Sequence, residues 1–334
     1  MPADRLRTLG VVAAALAALP GCPGPGRRPA ASVDGASLSA DRLAQLLVLA
    51  QPVPLRRDVA YELASHWVTL TAFAQRMALG DSLLDSATIA DLMSQRARRQ
   101  ILERWRADLL AGVPGGDTAR FSSAYARRLV LAGNAELKPR AVAIVRSVAS
   151  DPWGPRDAGD TVATFTGGAV TSRDLARYTQ YAASATRQEM RDAPEGRISD
   201  FLWGLVLDEL LLRQADSAGV RLEASQFLAL ADDCRKVIHR LWDGTGLSPG
   251  ALASAAPLPA ERRKLAARLV DAYLEGAAAR RLPLEPVPPF LAVPLLRDVA
   301  WDIVPDQMDS AVARARRLLA GTGEPPAVQH PQDR

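Results

Sequence analysis

Three histidines, His66, His239 and His330, are the first side chains to test for acid–base or metal chemistry, and none stands in an H-E-x-x-H or comparable ligand pattern. Adjacent carboxylates occur at Asp208-Glu209 and Asp232-Asp233. Neighbours on a helix project to different faces, which suits solvation better than shared proton transfer. Cys234 lies in the helical run Asp232-Asp233-Cys234-Arg235-Lys236 with no His-based constellation, so it reads as a small helix residue and not as a nucleophile. No Gly-x-Ser-x-Gly elbow, phosphate-binding loop or dinucleotide fingerprint is present. The expectation is therefore no catalytic residue, no metal site and no cofactor. What remains is aromatic: Trp67, Trp105, Trp203 and Trp242, with Phe73, Phe201 and Phe227, all fall in helical patterns. There they serve as core or as an apolar binding surface.

Cys22 carries a different chemistry. Arg5 and Arg7 precede an apolar run from Leu9 to Leu19, too short for a bilayer span of about 20 residues, and Leu19-Pro20-Gly21-Cys22 closes it. This resembles a bacterial lipobox, although Pro20 is unusual at its position. The resemblance implies that residues 1–21 are a signal peptide and that Cys22 becomes a lipid-modified N-terminus. The expected location is the periplasmic face of the outer membrane, with membrane contact through the lipid anchor only; plain secretion and a buried N-terminal segment are the alternatives. The net charge of +4 comes from 41 basic against 37 acidic residues, a near balance that gives no footprint for nucleic acid. With 48% hydrophobic and 23% charged residues in 334, a sizeable core is possible. Without a partner for Cys234, no disulfide framework exists.

The elements that would position these residues follow a plan written twice. After a Pro/Gly/Arg-rich tether over 22–32, Val33-Asp34-Gly35-Ala36-Ser37-Leu38-Ser39 reads as strand, tight turn, strand and helix cap. Phe165-Thr166-Gly167-Gly168-Ala169-Val170-Thr171 repeats it. Val59, Leu63 and Trp67 then form a helical stripe, as do Ile198, Leu202 and Val206, and each helix ends at a glycine, Gly80 or Gly219. Ser86 and Ser225 are positioned to cap third helices, each carrying a basic run and then a tryptophan, Trp105 or Trp242. Phe121 to Val148 reads as helix, with Pro139 forcing a start or kink. Pro259 to Leu282 is amphipathic. Pro283 to Pro294, with five prolines, reads as extended, and Leu295–Trp301 and Asp306–Leu319 as closing helices. The fold class expected is mainly α, two related helical halves with short β-hairpins. The division is 33–111, a connecting segment 112–161, 162–282, a closing region 283–320 and a disordered tail 321–334.

Taken together, Val33 to Leu43, Val59 to Leu83 and the helix from Ser86 resemble the chaperone module of SurA/PrsA-type peptidyl-prolyl isomerases, related to the substrate-binding region of trigger factor. The echo over 162–242 is weaker. The resemblance implies SurA-N-like helical modules that bind unfolded or outer-membrane protein clients. It also implies a parvulin domain, for which 112–161 is too short. Arg128-Leu129-Val130-Leu131 and Lys138-Pro139-Arg140-Ala141 are similar to its opening strand and helix, but the histidine of that strand is absent, and Gly115-Gly116-Asp117 lies on the wrong side. The client surface expected comprises Trp105, Trp203, Trp242, Phe201 and Phe227, with the adaptable Met77 and Met93. An active isomerase with a diverged catalytic part, and a structural envelope lipoprotein with one dedicated partner, are the alternatives; the oligomeric state stays open.

Overall fold

Asp34 and Gly35 both take left-handed backbone angles (φ 41° and 84°), the pairing that a two-residue hairpin turn demands. They close β1 (Ala31–Val33) onto β2 (Ala36–Leu38), and the Ser39 hydroxyl then caps α1 (Ala40–Leu49) by accepting from the Arg42 N–H at 3.1 Å. The second hairpin, β4 (Thr161–Phe165) and β5 (Gly168–Thr171), turns at Gly167 with φ 82°. Thr171 and Asp174 cap α6 (Ser172–Tyr181) reciprocally: the Asp174 N–H donates to Thr171 Oγ1 and the Thr171 N–H to Asp174 Oδ2. The structure is a computed structural model that describes residues 28–111, 113, 117–150, 160–181, 184–297 and 299–321. The signal segment, Cys22, the turn cluster at 151–155 and the tail beyond 321 lie outside the described residues.

The fold is mainly helical, as the sequence periodicity predicts. α2 (Arg57–Ala78) and α8 (Glu195–Ser217) follow the two hairpins and end at Gly80 and Gly219, both left-handed. α3 (Ser86–Ala111) and α9 (Ala224–Thr245) come next. Their caps differ from expectation. Asp85 accepts from the Thr88 N–H at 2.9 Å, and Glu223 forms a capping box with Gln226; carboxylates one position or two earlier do the work assigned to Ser86 and Ser225.

Each hairpin acquires a third antiparallel strand beside its first. β3 (Glu136–Leu137) pairs with β4, and β6 (Trp301–Ile303) pairs with β1. The stretch read as one helix from Phe121 to Val148 is therefore three elements: α4 (Thr118–Ala132), β3 and α5 (Ala141–Ser150). Asn134 at φ 46° redirects the chain after α4, and Pro139 stands just before α5. Among the described residues of 112–161, no four-stranded sheet of its own exists; β3 extends the hairpin that follows.

The closing region also departs from expectation. α7 (Ser184–Asp192), α10 (Pro249–Ala255) and α11 (Pro259–Ala278) precede an extended crossing, but from Pro289 the chain is helical as α12 (Pro289–Arg297), with Pro294 inside. Pro289 starts that helix where its missing N–H is not needed, and burial of Phe290, Leu291 and Leu295 outweighs the bond lost at Pro294. Trp301 is in β6 and not in a helix, and α13 (Pro305–Gly321) follows.

Two apolar cores result, and they divide the chain differently from its sequence repeat. The first joins α1, α2 and the beginning of α3 to α9, α11, α12 and α13, around Phe73, Leu47, Ile238, Leu274 and Met308. The second holds Val145 of α5, Val162 and Phe165 of β4, Leu175 of α6, and Ile198, Leu202 and Val206 of α8. Consequently the lobe built from α4 to α8 is inserted between the two parts of the first lobe. Because Phe73 is wholly enclosed while Phe227 keeps 36% of its surface, Phe73→Ala is expected to cost about 3–5 kcal/mol and Phe227→Ala less than about 1 kcal/mol. Urea unfolding of the two variants checks this; similar losses would contradict the assignment of the core.

Candidate functional site

The apolar face of α3 changes role along its length. Ile89, Leu92 and Met93 are sealed in the first core, but beyond Leu102 the helix runs out over the second lobe, packed between α8 and α9. From Arg98 onward it also makes ionic contacts with α8 and with Glu223 at the start of α9. Arg98 meets Glu209 at 2.7 Å, Arg106 pairs with Asp208, and Arg104 reaches Glu223 at 3.2 Å. Burial pushes the Asp208 carboxyl above its usual range, opposed by the Arg106 charge and helped by neighbouring Glu209. Such partly exposed pairs are worth about 0–1 kcal/mol each, so they set the register of the helices more than they bind them.

Between this end of α3, α4 and α8 an open cleft of about 550 Å³ remains. Trp105, Leu129, Leu210 and Ala218 form its apolar walls; Thr166, Arg213, Gln214 and Ser217 supply the polar positions. The Tyr125 hydroxyl donates to Gln214 Oε1 at 2.7 Å, fixing α4 to α8, and Phe121 stacks on Tyr125 with 5.7 Å between centroids. Arg213 lies with its guanidinium 5.1 Å from the Phe165 ring centroid, against the Gly167-Gly168 turn. A Cβ on Gly168 would come within 2.5 Å of Arg213 Nη2 and 2.8 Å of the Phe165 ring, so the glycine is what lets the cation lie flat there. Arg128 rests in similar fashion 6.0 Å from the Tyr125 ring.

The aromatic residues singled out by sequence do not converge. Trp105 is in the cleft, half-buried, and its indole N–H is enclosed without an acceptor among the described residues. Phe201 and Trp203 pack at the edge of the second core, Phe201 with its ring 5.2 Å from that of Tyr178. Trp242 borders the first core, its indole N–H directed at Met77 Sδ at 2.9 Å and its ring edge-on to His239. Phe227 stands exposed at the start of α9. Met77 and Met93 are completely buried and present no surface to a ligand, because both fall on stripes that the first core consumes.

Sequence reading passed over Arg213 and Gln214, which carry no periodic signal of their own, and over Glu62, one helical turn before His66; Leu129, in the run Arg128–Leu131 likened to a parvulin strand, lies instead in the helix α4. Glu62 Oε1 lies 4.0 Å from His66 Nε2; burial, partly offset by that carboxylate, holds the imidazole below its ordinary pKa. Cys234 is enclosed and its thiol is pushed up to about 11 by burial, in keeping with a structural role. Among the described residues no group of three or more His, Cys, Asp or Glu is placed to hold a metal, and no helix is long and apolar enough to cross a membrane.

No protein-family model, curated protein or solved structure matches the chain. In single-tryptophan variants, acrylamide is expected to quench Trp105 and Trp242 several-fold more strongly than Trp67, which keeps only 6% of its surface. Equal quenching of Trp67 and Trp105 would contradict the cleft as described.

Proposed function

We propose that this protein is a SurA/PrsA-like holdase of the cell envelope, anchored through Cys22, that binds extended segments of unfolded polypeptide without bond chemistry of its own. The observation that carries this reading is the cleft at Trp105: an open space walled by one indole ring and by Leu129 and Leu210, beside a seam where α3 and α8 exchange ion pairs. Phe227 is exposed elsewhere, at the start of α9, and does not line the cleft. The two hairpin-and-helix units add support, since they are the parts of the chain that resemble the chaperone module.

The magnitudes suit transient capture. Two client side chains buried at about 1.5–3 kcal/mol each, less the cost of ordering the chain, leave binding in roughly the millimolar range or weaker. A client held so weakly is released without an energy source. Met77 and Met93 have no part in this mechanism. The lipid on Cys22 would keep the cleft near the membrane surface where envelope proteins arrive unfolded.

The test uses the full chain as Cys22→Ser, with a chemically denatured model enzyme diluted into buffer. Stoichiometric protein is expected to suppress light scattering at least twofold, and Trp105→Ala to lose most of that effect while Phe227→Ala loses little. No suppression by the parent protein would favour a dedicated envelope partner instead. Prolyl-bond turnover well above background would overturn the absence of catalysis.

A further inference from the structure

The cleft is neutral along its walls except at one place. Arg213 offers five N–H donors, and no carboxylate among the described residues accepts from them. The acids nearest to it along α8 are already engaged: Asp208 by Arg106, Glu209 by Arg98 and Asp216 by Arg221. Arg128, held on the Tyr125 ring, is a second guanidinium without an ion pair among the described residues, and Tyr125 is itself bonded to Gln214 of the cleft. The lining thus presents one cation, Arg213, with no matching anion among the described residues, beside apolar walls.

Arg213 is also held in place before any ligand arrives. The Phe165 ring lies beneath it and the Gly167-Gly168 turn beside it, contacts that narrow the freedom this exposed side chain would lose on binding. Thr166 and Ser217 add hydroxyls on the same lining. A planar fork of this kind matches a carboxylate through two parallel hydrogen bonds.

We propose that the cleft recognises the C-terminal carboxylate of a polypeptide whose last residue is apolar, with Arg213 binding the carboxylate and Trp105, Leu129 and Leu210 enclosing the side chain. A chain terminus carries its carboxylate and an apolar side chain on one carbon, the combination that one cation beside apolar walls accommodates. An internal Asp has no apolar group on that carbon. This inference rests on the reading of the cleft as a polypeptide site, and names which part of a client it takes.

Fluorescence anisotropy with the full-length Cys22→Ser protein tests it, using three N-terminally labelled octapeptides: one ending in leucine with a free carboxylate, the same with a terminal amide, and the amide with an internal Asp. The free acid is expected to bind about tenfold more tightly than either amide, the gain of one charge-assisted bidentate contact. Arg213→Gln should bring the acid down to the amide level and leave the amide unchanged. Arg213→Lys should recover part of the preference; thermal melts of each variant confirm folding. Equal affinity of acid and plain amide for the parent protein would overturn the inference while leaving polypeptide binding intact. Equal affinity of the acid and the Asp-containing amide would overturn recognition of the terminus. If no octapeptide binds, saturation-transfer NMR with N-acetyl-leucine and N-acetyl-leucinamide separates the cases. An Arg213-dependent signal from the acid alone upholds the carboxylate site and overturns the polypeptide reading; no signal overturns both.

Discussion

The last strand of the described chain must return to the first. β6 pairs with β1 in register from Ala31↔Ile303 to Val33↔Trp301, and α13 then lies along α1, so that the first lobe is complete only when residues more than 250 positions apart have met. Everything between is constrained by that closure. α3 leaves the first core and α9 re-enters it, and the chain joining them has to fold into a lobe of its own at their far ends. This is why the beginning of α3 is core, whereas its other end becomes a wall.

The two lobes meet through unlike materials. Inside each, apolar side chains are sealed: Phe73 and Leu47 in one, Val145 and Val206 in the other. Between them α3 and α8 exchange ion pairs that contribute little net energy, together with the packing of α12 against α6. A seam of this composition has no strong drive to collapse, and the space beside Trp105 persists. The cation on its floor persists for a related reason: Phe165 and a pair of glycines hold Arg213 where no acid competes for it. A polypeptide-binding account and an account of the fold therefore invoke the same helices.

Much of this was legible in the residues. The glycines at 35, 80, 167 and 219 take the left-handed angles that their turns and caps require, and Ser39 and Thr171 cap as their positions suggest. Local signals of that kind act within a few residues. What escaped depended on distant contacts. A two-residue strand such as β3 has no periodicity to read, and it exists because β4 lies beside it. Pro294 sits in a helix because the first core rewards burial of α12 around it. Met77 and Met93 looked like adaptable surface and proved to be core, since a stripe alone does not say which helix will cover it. Trp105 was found from its type, while Arg213 was not, because its significance lies in a ring and a turn more than 40 positions earlier.

Site-specific photocrosslinking during client capture tests the central claim most directly. A photoreactive phenylalanine analogue is placed at Trp105 or Leu129 in the cleft, or at the exposed positions Tyr61 and Leu318 of the first lobe, in the full chain carrying Cys22→Ser. The account predicts client adducts from the two cleft positions and few from Tyr61 or Leu318. Adducts spread evenly over all four, or arising from the first lobe alone, would contradict it.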